Sequence, residues 1–409
     1  MRKKKCGGRM AILNGVLPLF FLVSGLHPAP VSTSPRACVF GPKDTTYISL
    51  STAPSCRGGV DWSGEPAWEF QLPAEVGSDP GSIQTEAGRS VEGRQWFVIL
   101  DQASHSIIRV SEKDGIQQKI RLDTVDGLGL AKPPMLLSNP PGDSVLVWDA
   151  TREQIAILNP ALALDRTVEL KSVPLARRRE ARARFSGGEY LVHLVDLFSD
   201  DSGAGAVGSR VHFGHYDAER AMVDSILTTD GRRYDAVQGI LVPIPLSTDP
   251  LWSVGGADTF VLHHGTDVLS HFRGSVRRET FLFTGLPDVS VTDELKASTL
   301  ETEFGITDRT PAETLQAIRQ LEFPEYAPHF DRLLADGKGG FWLRIFDAGR
   351  GDRQSWIVID PRSEHAPACR VQIPDSYRLD HVTQDTLAGI WRDSEGGLHL
   401  RVYAVTKAP

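Results

Sequence analysis

The chain has 409 residues, 41% of them hydrophobic and 23% charged, with 38 glycines and 26 prolines. That composition excludes fibrous and disordered classes, and with only short helical patterns it favours many short strands over a few long helices. A net charge of −8 argues against a nucleic-acid partner, since there is no surplus of Lys and Arg to neutralise phosphates.

Residues 1–25 read as a secretory signal peptide. Arg2, Lys3, Lys4, Lys5 and Arg9 form a basic n-region, Ile12 to Leu22 is an apolar core, and Ser24 and Gly25 offer small residues for cleavage. An uncleaved membrane anchor is the rival reading, but the apolar run is shorter than the roughly 20 residues a bilayer span needs. No second hydrophobic segment follows, so a soluble exported protein, periplasmic or extracellular, is expected. It becomes more acidic still once the basic residues of the signal are gone.

Cys6 leaves with the signal, and Cys38, Cys56 and Cys369 remain. An oxidising compartment permits a Cys38–Cys56 disulfide that would staple the irregular N-terminal segment, with Cys369 left as a small buried hydrophobe. No pair has CxxC or zinc-ligand spacing. Lipid attachment at Cys38 ranks second, because Pro35, Arg36 and Ala37 make a poor lipobox. Residues 26–65, rich in Pro, Ser and Gly, read as an extended linker.

From Trp68 onward the chain repeats a meander of strand, Gly-containing turn, strand ending in Asp, polar loop and strand. The first copy runs from Gly93 to Leu122 through Trp96–Asp101, and the second from Gly142 to Leu170 through Val145–Asp149. A third holds Glu189–Leu194, Arg210–Tyr216 and Ala221–Leu227. The fourth holds Thr259–His263, Val268–Phe272 and Glu279–Phe283. The fifth spans Leu333 to Ile373 and the sixth His381 to Val405.

Phe97, Leu146, Leu191, Phe260, Phe341 and Ile390 mark equivalent points. Most of their intervals match the roughly 40–50 residues of one four-stranded blade, and the longer ones around the third and fourth units imply insertions. The sixth unit lacks an outer strand, and Trp68–Leu72 is a strand without a unit; pairing the two would close a ring. The predicted fold is therefore all-β, a six-bladed β-propeller over residues 66–409.

Two helices are predicted between the fourth and fifth units, where they would cover one ring face. One runs from Asp293 to Phe304 and stops at Gly305. The other starts at Thr310 as N-cap, with Pro311 in its first turn and Glu313 completing a capping box. Leu315, Ile318 and Leu321 share one face until Pro324.

The fifth and sixth units carry a family likeness. Phe323-Pro324, Pro328, Leu333 and Asp336, then Gly340-Phe341-Trp342-Leu343-Arg344, Trp356, Val358, Asp360 and Leu400-Arg401-Val402-Tyr403 resemble the exported bacterial six-bladed β-propeller proteins, related in outline to NHL and TolB-like propellers. The resemblance covers roughly residues 66–405. It implies the fold and an exported bacterial context, and it transfers no catalytic motif; the third and fourth units depart from the pattern.

Catalytic signals are sparse. Gly203-Ala204-Gly205-Ala206-Val207-Gly208 matches GxGxxG but lacks the preceding strand and following helix of a dinucleotide site, so it reads as a loop. His212, His215, His263, His264 and His271 would make a metal cluster only if several strands converged, because neighbours on one strand face opposite ways. There is no GxSxG, HExxH or SxxK. Asp101, Asp149 and Asp360 end strands at comparable places, as calcium ligands or, more simply, as turn formers. Arg177, Arg178, Arg179, Arg182 and Arg184 read as a solvated connection between elements.

Innermost strands of a propeller line its channel, so a ligand site is expected at the channel mouth, with Arg89, Arg184, His329, Asp331, Asp380 and His381 as ligand-binding candidates. The leading expectation is an exported non-catalytic propeller that binds a protein partner or a polar small ligand such as a glycan at a ring face. One alternative is a lactonase-like metal-dependent hydrolase or lyase with its ion in the channel, calcium being the candidate cofactor. Another is an envelope scaffold.

Overall fold

The computed structural model describes residues 45–405, apart from breaks at 57–61, 63–64, 77–79, 90–94, 138–143, 171–177, 186–187, 200–205, 238–239, 305–315, 317–319, 348–351, 363–367 and a few single residues. Residues 1–25, expected as a signal peptide, and Cys38 lie outside the described residues, as does most of the helix expected from Thr310.

Six small sheets follow one another along the chain. Two early strands, β1 (Thr45–Ser49) and β2 (Trp68–Gln71), belong to later sheets. Blade I comprises β3 (Ile83–Arg89), β4 (Gln95–Asp101), β5 (Ser106–Ser111) and β6 (Gly115–Arg121). Blade II comprises β7 (Met135–Leu136), β8 (Val145–Asp149), β9 (Gln154–Leu158) and β10 (Leu164–Glu169). Blade III comprises β11 (Arg178–Arg184), β12 (Tyr190–Ser199), β13 (Ala206–Asp217) and β14 (Met222–Asp230), with a hairpin of β15 (Tyr234–Val237) and β16 (Ile240–Pro243). Blade IV comprises β17 (Leu251–Gly255), β18 (Asp258–Leu262), β19 (Val268–Arg273) and β20 (Val276–Thr284). After helix α1 (Asp293–Phe304), blade V comprises β21 (Phe330–Ala335), β22 (Phe341–Ile345), β23 (Arg353–Ile359) and β24 (Ala368–Pro374). Blade VI comprises β25 (Tyr377–Val382), β26 (Thr386–Arg392) and β27 (Leu398–Ala404). The extra hairpin and the helix account for the two long intervals in the sequence.

Side-chain alternation explains the stacking. Along β4, Phe97 and Ile99 meet Ile390 and Leu400 of blade VI. The intervening Trp96, Val98 and Leu100 meet Val147 and Ala156 of blade II. A middle strand is thus buried on both faces, and β5, β8, β9 and β18 are buried throughout. Each aliphatic or aromatic side chain so buried contributes about 1.5–3 kcal/mol of transfer free energy. The outer strand β10 is mostly exposed instead, with only Leu164 and Val168 half-buried.

The ring closes as the sequence suggests. Trp68, Glu69, Phe70 and Gln71 pair antiparallel with Val402, Arg401, Leu400 and His399, which supplies blade VI with its fourth strand. Trp68 stacks on Phe97 of blade I at 5.6 Å, so the closing strand touches both sides of the seam.

Residues 45–56 and Trp62, within the stretch expected as linker, dock on the propeller. Strand β1 adds in parallel to β20 at the outer edge of blade IV. The chain then reaches β24 of blade V, where the Cys56 amide donates to the Arg370 carbonyl at 3.0 Å. Trp62 sits between Tyr377 and Tyr403, with ring centroids 5.2 and 4.9 Å away, in the seam between blades V and VI. Strand β1, Cys56, Trp62 and β2 thus tie this N-terminal stretch, here called the strap, to blades IV, V and VI. The Cys38–Cys56 pairing is corrected here: Cys56 bonds Cys369 on β24, across a Cα–Cα distance of 4.8 Å. The reason is spatial, because the strap delivers Cys56 to the blade V edge.

Helix α1 packs through Leu295 against Leu246 and Ala327. Among the described residues, no helix is long and apolar enough to cross a membrane.

Cys56→Ser is expected to lower unfolding free energy by about 2–5 kcal/mol through loss of the cross-link. Urea melts of the oxidised wild type, the variant and the reduced wild type check this; the variant and the reduced wild type should coincide.

Candidate functional site

The six inner strands, β3, β7, β11, β17, β21 and β25, surround a central cavity of about 470 Å3. Their inner edges have no further strand to pair with, and side chains from neighbouring blades take up some of those backbone groups. The Leu136 amide donates to the Gln84 side-chain oxygen at 2.8 Å, and the Ala335 amide to Ser253 Oγ at 2.8 Å.

Three inner strands carry one residue more than their partners. The pairing of β11 with β12 skips Arg182, that of β21 with β22 skips Asp331, and that of β25 with β26 skips Asp380. A bulge turns the extra residue out of the regular ladder, and in all three strands that residue is charged. At the third bulge the opposing residue is Gly389. A Cβ there would lie 2.0 Å from the Arg378 carbonyl oxygen, so only glycine lets β25 press this close.

Asp380 is the hub of the channel. Its Oδ1 accepts from Arg332 Nη2 and from Arg378 Nε at 2.9 Å. Its Oδ2 accepts from Arg378 Nη2 at 2.8 Å and from Thr85 Oγ1 at 2.8 Å. His381 donates from Nε2 to the Thr85 carbonyl at 2.8 Å, which fixes its tautomer. Three blades, V, VI and I, therefore meet at one carboxylate. Burial alone would raise the Asp380 pKa, but Arg378 and then Arg332 outweigh it and hold the group at about 2. The Arg332 guanidinium is shifted down, first by burial and further by Arg378 and Arg344.

On the other side of the channel, Arg182 forms an ion pair with Glu180 and lies over the Trp252 ring at 5.6 Å. It also donates to His193 Nδ1 at 3.4 Å. Burial holds the His193 pKa below its ordinary value, so the imidazole is neutral and accepts at Nδ1.

A second cavity of about 500 Å3 lies beside blades IV and V, bounded by Leu251, His263, Asp267, Phe323, Tyr326 and His329. His329 Nδ1 lies 2.9 Å from Asp267 and its Nε2 lies 3.4 Å from Asp288. Burial, followed by Arg277, lowers the His263 pKa to about 4, while Ser270 Oγ meets its Nε2 at 2.9 Å.

The six candidate residues do not share one mouth. Asp380 and His381 line the channel. Asp331 stands behind Arg332 in a two-pronged pair with Arg344, at 2.6 and 3.0 Å, and burial raises its pKa. His329 faces the second cavity. Arg89 and Arg184 are the last residues of β3 and β11, whereas His329 and Asp331 stand where β21 begins, so the two groups belong to opposite ends of the channel. The Arg89 side chain is outside the described residues.

The arginine run is also corrected. It is not a solvated connection: Arg178–Arg184 is β11 itself, with Ala181 and Ala183 buried on either side of Arg182. Arg182, Glu86, Trp252, Arg332 and Arg378 were missed as channel residues. The available signal was a charged residue set among buried apolar ones, as in Ala181-Arg182-Ala183 and Arg332-Leu333.

The histidines remain apart, each with its own partner: His212 with Asp196, His215 with Glu189, His271 with Asp258. His264 is outside the described residues. Asp101, Asp149 and Asp360 accept turn amides from Ala103, Thr151 and Arg362, as turn formers do. Ala206-Val207-Gly208 lies at the start of β13, with residues 201–205 outside the described part. Among the described residues, no three His, Cys, Asp or Glu side chains gather to hold a metal ion.

No family model matches the chain, and no curated protein does. Solved structures resemble it in fold. A DUF4221-family protein from Bacteroides vulgatus has 10% identity and a TM-score of 0.49 over 83% of this chain and 97% of its own. A Bacteroides fragilis protein of conjectured export has 11% identity and a TM-score of 0.45 over 88% of this chain and 100% of its own. A gluconolactonase from Xanthomonas campestris has 12% identity and a TM-score of 0.40 over 86% of this chain and 99% of its own. Likenesses this distant carry no argument about ligand or reaction.

Acid should unfold the protein in two stages. His263 is depressed from 6.5 to about 4, so its contribution is complete above pH 6.5 and lost as pH falls to 4. Asp380 is depressed from 3.8 to about 2, so its contribution is lost over that lower window. Each stage amounts to about 2–3 kcal/mol. Urea melts at half-unit pH steps check this, with His263→Gln expected to flatten only the upper stage. Asp380→Asn, which leaves two guanidinium groups without their counter-charge, should cost about 3–5 kcal/mol at pH 7.

Proposed function

We propose that this is an exported, non-catalytic propeller that binds a small polar ligand in its central channel. The observation that supports the channel is the set of three bulges at Arg182, Asp331 and Asp380, two of which put charge directly into a cavity of about 470 Å3. An inner ring built only for stability would be filled with apolar side chains, because ion pairs buried in a core are often matched by hydrophobic replacements. Irregular backbone that re-aims charged groups belongs to ligand sites. Export rests on the basic and apolar pattern of residues 1–25.

A binding role, as opposed to a catalytic one, follows from how the charged groups are used. Asp380, the one carboxylate at the hub, is held ionised near a pKa of 2 and has both oxygens occupied, so it is a poor proton acceptor or donor near neutrality. His381 has its Nε2 proton committed to a backbone carbonyl. Neither is poised as a general acid or base.

The test uses the intact exported protein and a library of hydrophilic metabolites, screened by ligand-observed NMR. Ligands of the channel should compete with one another and be lost when Leu334→Trp fills it. Hits that survive the filled channel would sink the reading, and time-dependent conversion of a hit would replace it with an enzyme.

A further inference from the structure

The ligand class can be narrowed, on the premise that the channel is the binding site. We infer that it takes a small organic monocarboxylate, gripped by Arg332 with Arg378 beside it.

The blade V–VI side of the channel holds more guanidinium donors than its two carboxylates take up. Three guanidinium groups, Arg332, Arg344 and Arg378, stand with two carboxylates, Asp331 and Asp380. Arg344 gives both prongs to Asp331 and a further N–H to Gln354 at 3.4 Å. Arg378 gives both prongs to Asp380. Arg332 gives Asp380 a single Nη2 bond, and Nε and Nη1 have no acceptor among the described residues. A guanidinium carries five N–H donors in a planar fork. Most of that fork therefore lies unused at the wall of the cavity, on a side chain 26% exposed, whereas the carboxylate it leans on is 5% exposed.

Asp380 cannot supply the missing acceptor. Each of its oxygens already accepts two hydrogen bonds, the fourth from Thr85. Arg182 is matched by Glu180 across the cavity, and Glu86, the remaining carboxylate of the lining, has an interaction of its own. His381 is bonded to Thr85. What remains at Arg332 is a guanidinium whose Nε, Nη1 and second Nη2 hydrogens have no acceptor among the described residues.

Unmet guanidinium donors select an anionic group, and a parallel pair of N–H bonds, the second on Nη2 with that on Nε or Nη1, suits the two coplanar oxygens of a carboxylate. A phosphate dianion would bring a second negative charge beside the ionised Asp380. The rest of the lining near this point is Leu334, Val254 and the Trp252 ring, so the ligand carries a carbon body.

The experiment is calorimetry on the full chain at pH 7 with acetate, lactate, benzoate and gluconate. Each is set against an uncharged counterpart: acetamide, lactamide, benzamide and sorbitol. Inorganic phosphate forms a separate arm. At least one carboxylate should bind saturably and better than its counterpart. Arg332→Gln should weaken it by about tenfold or more, the loss of a charged hydrogen bond, while Arg332→Lys retains part of the affinity. Thermal melts of both variants within a few degrees of wild type exclude misfolding as the cause.

The inference is overturned if no carboxylate outbinds its counterpart, if Arg332→Gln leaves affinity unchanged, or if phosphate binds more tightly. If sorbitol binds as well as gluconate and Leu334→Trp abolishes both, the carboxylate inference fails and the channel reading stands. If the carboxylate binds equally well to Leu334→Trp, the channel reading itself fails.

Discussion

The pairing of β2 with β27 is the constraint on which this molecule rests. A blade whose middle strands are greasy on both faces is stable only between two neighbours, and a linear row of six would leave two such faces in water. Four residues from the front of the chain, Trp68 to Gln71, complete blade VI, and Trp68 reaches on to Phe97 of blade I. The hydrophobic contact across the seam is then like that between any other pair of blades, with Leu72, Ile83, Phe97, Ile390 and Leu400 in one cluster. The strap that precedes β2 extends the same device outward, by strand addition on blade IV, a disulfide on blade V and an aromatic wedge between V and VI.

Closing the ring has a second effect: it leaves six inner edges facing one another around a hole too narrow for another strand. The protein fills that space unevenly. Some inner-edge amides are taken up by Gln84 and Ser253, as in an ordinary packed interior. Elsewhere the backbone bulges and sets charged side chains there instead. Asp380 is the costliest of these to bury, and the two arginines and one threonine that converge on it offset that cost. The channel is thus a rigid polar chamber whose geometry is set by three blades at once.

Much of this was legible in the amino-acid order, for a physical reason. Middle strands are long, apolar and bounded by Gly and Asp turns, as at Trp96–Asp101 and Val145–Asp149, so blade number and the closing strand could be read from repeating pattern. Inner strands lack that signature. β7 is two residues long, β11 is Arg-Arg-Glu-Ala-Arg-Ala-Arg, and β25 is interrupted by Asp380, so hydrophobic alternation is weakest where the channel is made. Hence Asp380 and His381 were recovered as candidates, while Arg332 and Arg378, on the same wall, were not. The disulfide partner of Cys56 was illegible for a different reason: local spacing favours the nearer Cys38, and only the course of the strap brings Cys369 within reach.

That course has a bearing on how the chain acquires its structure. The two bridged cysteines are 313 residues apart, and the strand that seals the circle is completed only by the C-terminal strand. Blades I to V are built largely from consecutive strands, whereas β2 pairs only with the distant β27. Closure of the ring is therefore a long-range event that requires β27, and contacts of such sequence separation are slow to form. Until β2 and β27 pair, the apolar faces of blades I and VI at the seam lack their cover, and exposed surface of that kind promotes aggregation.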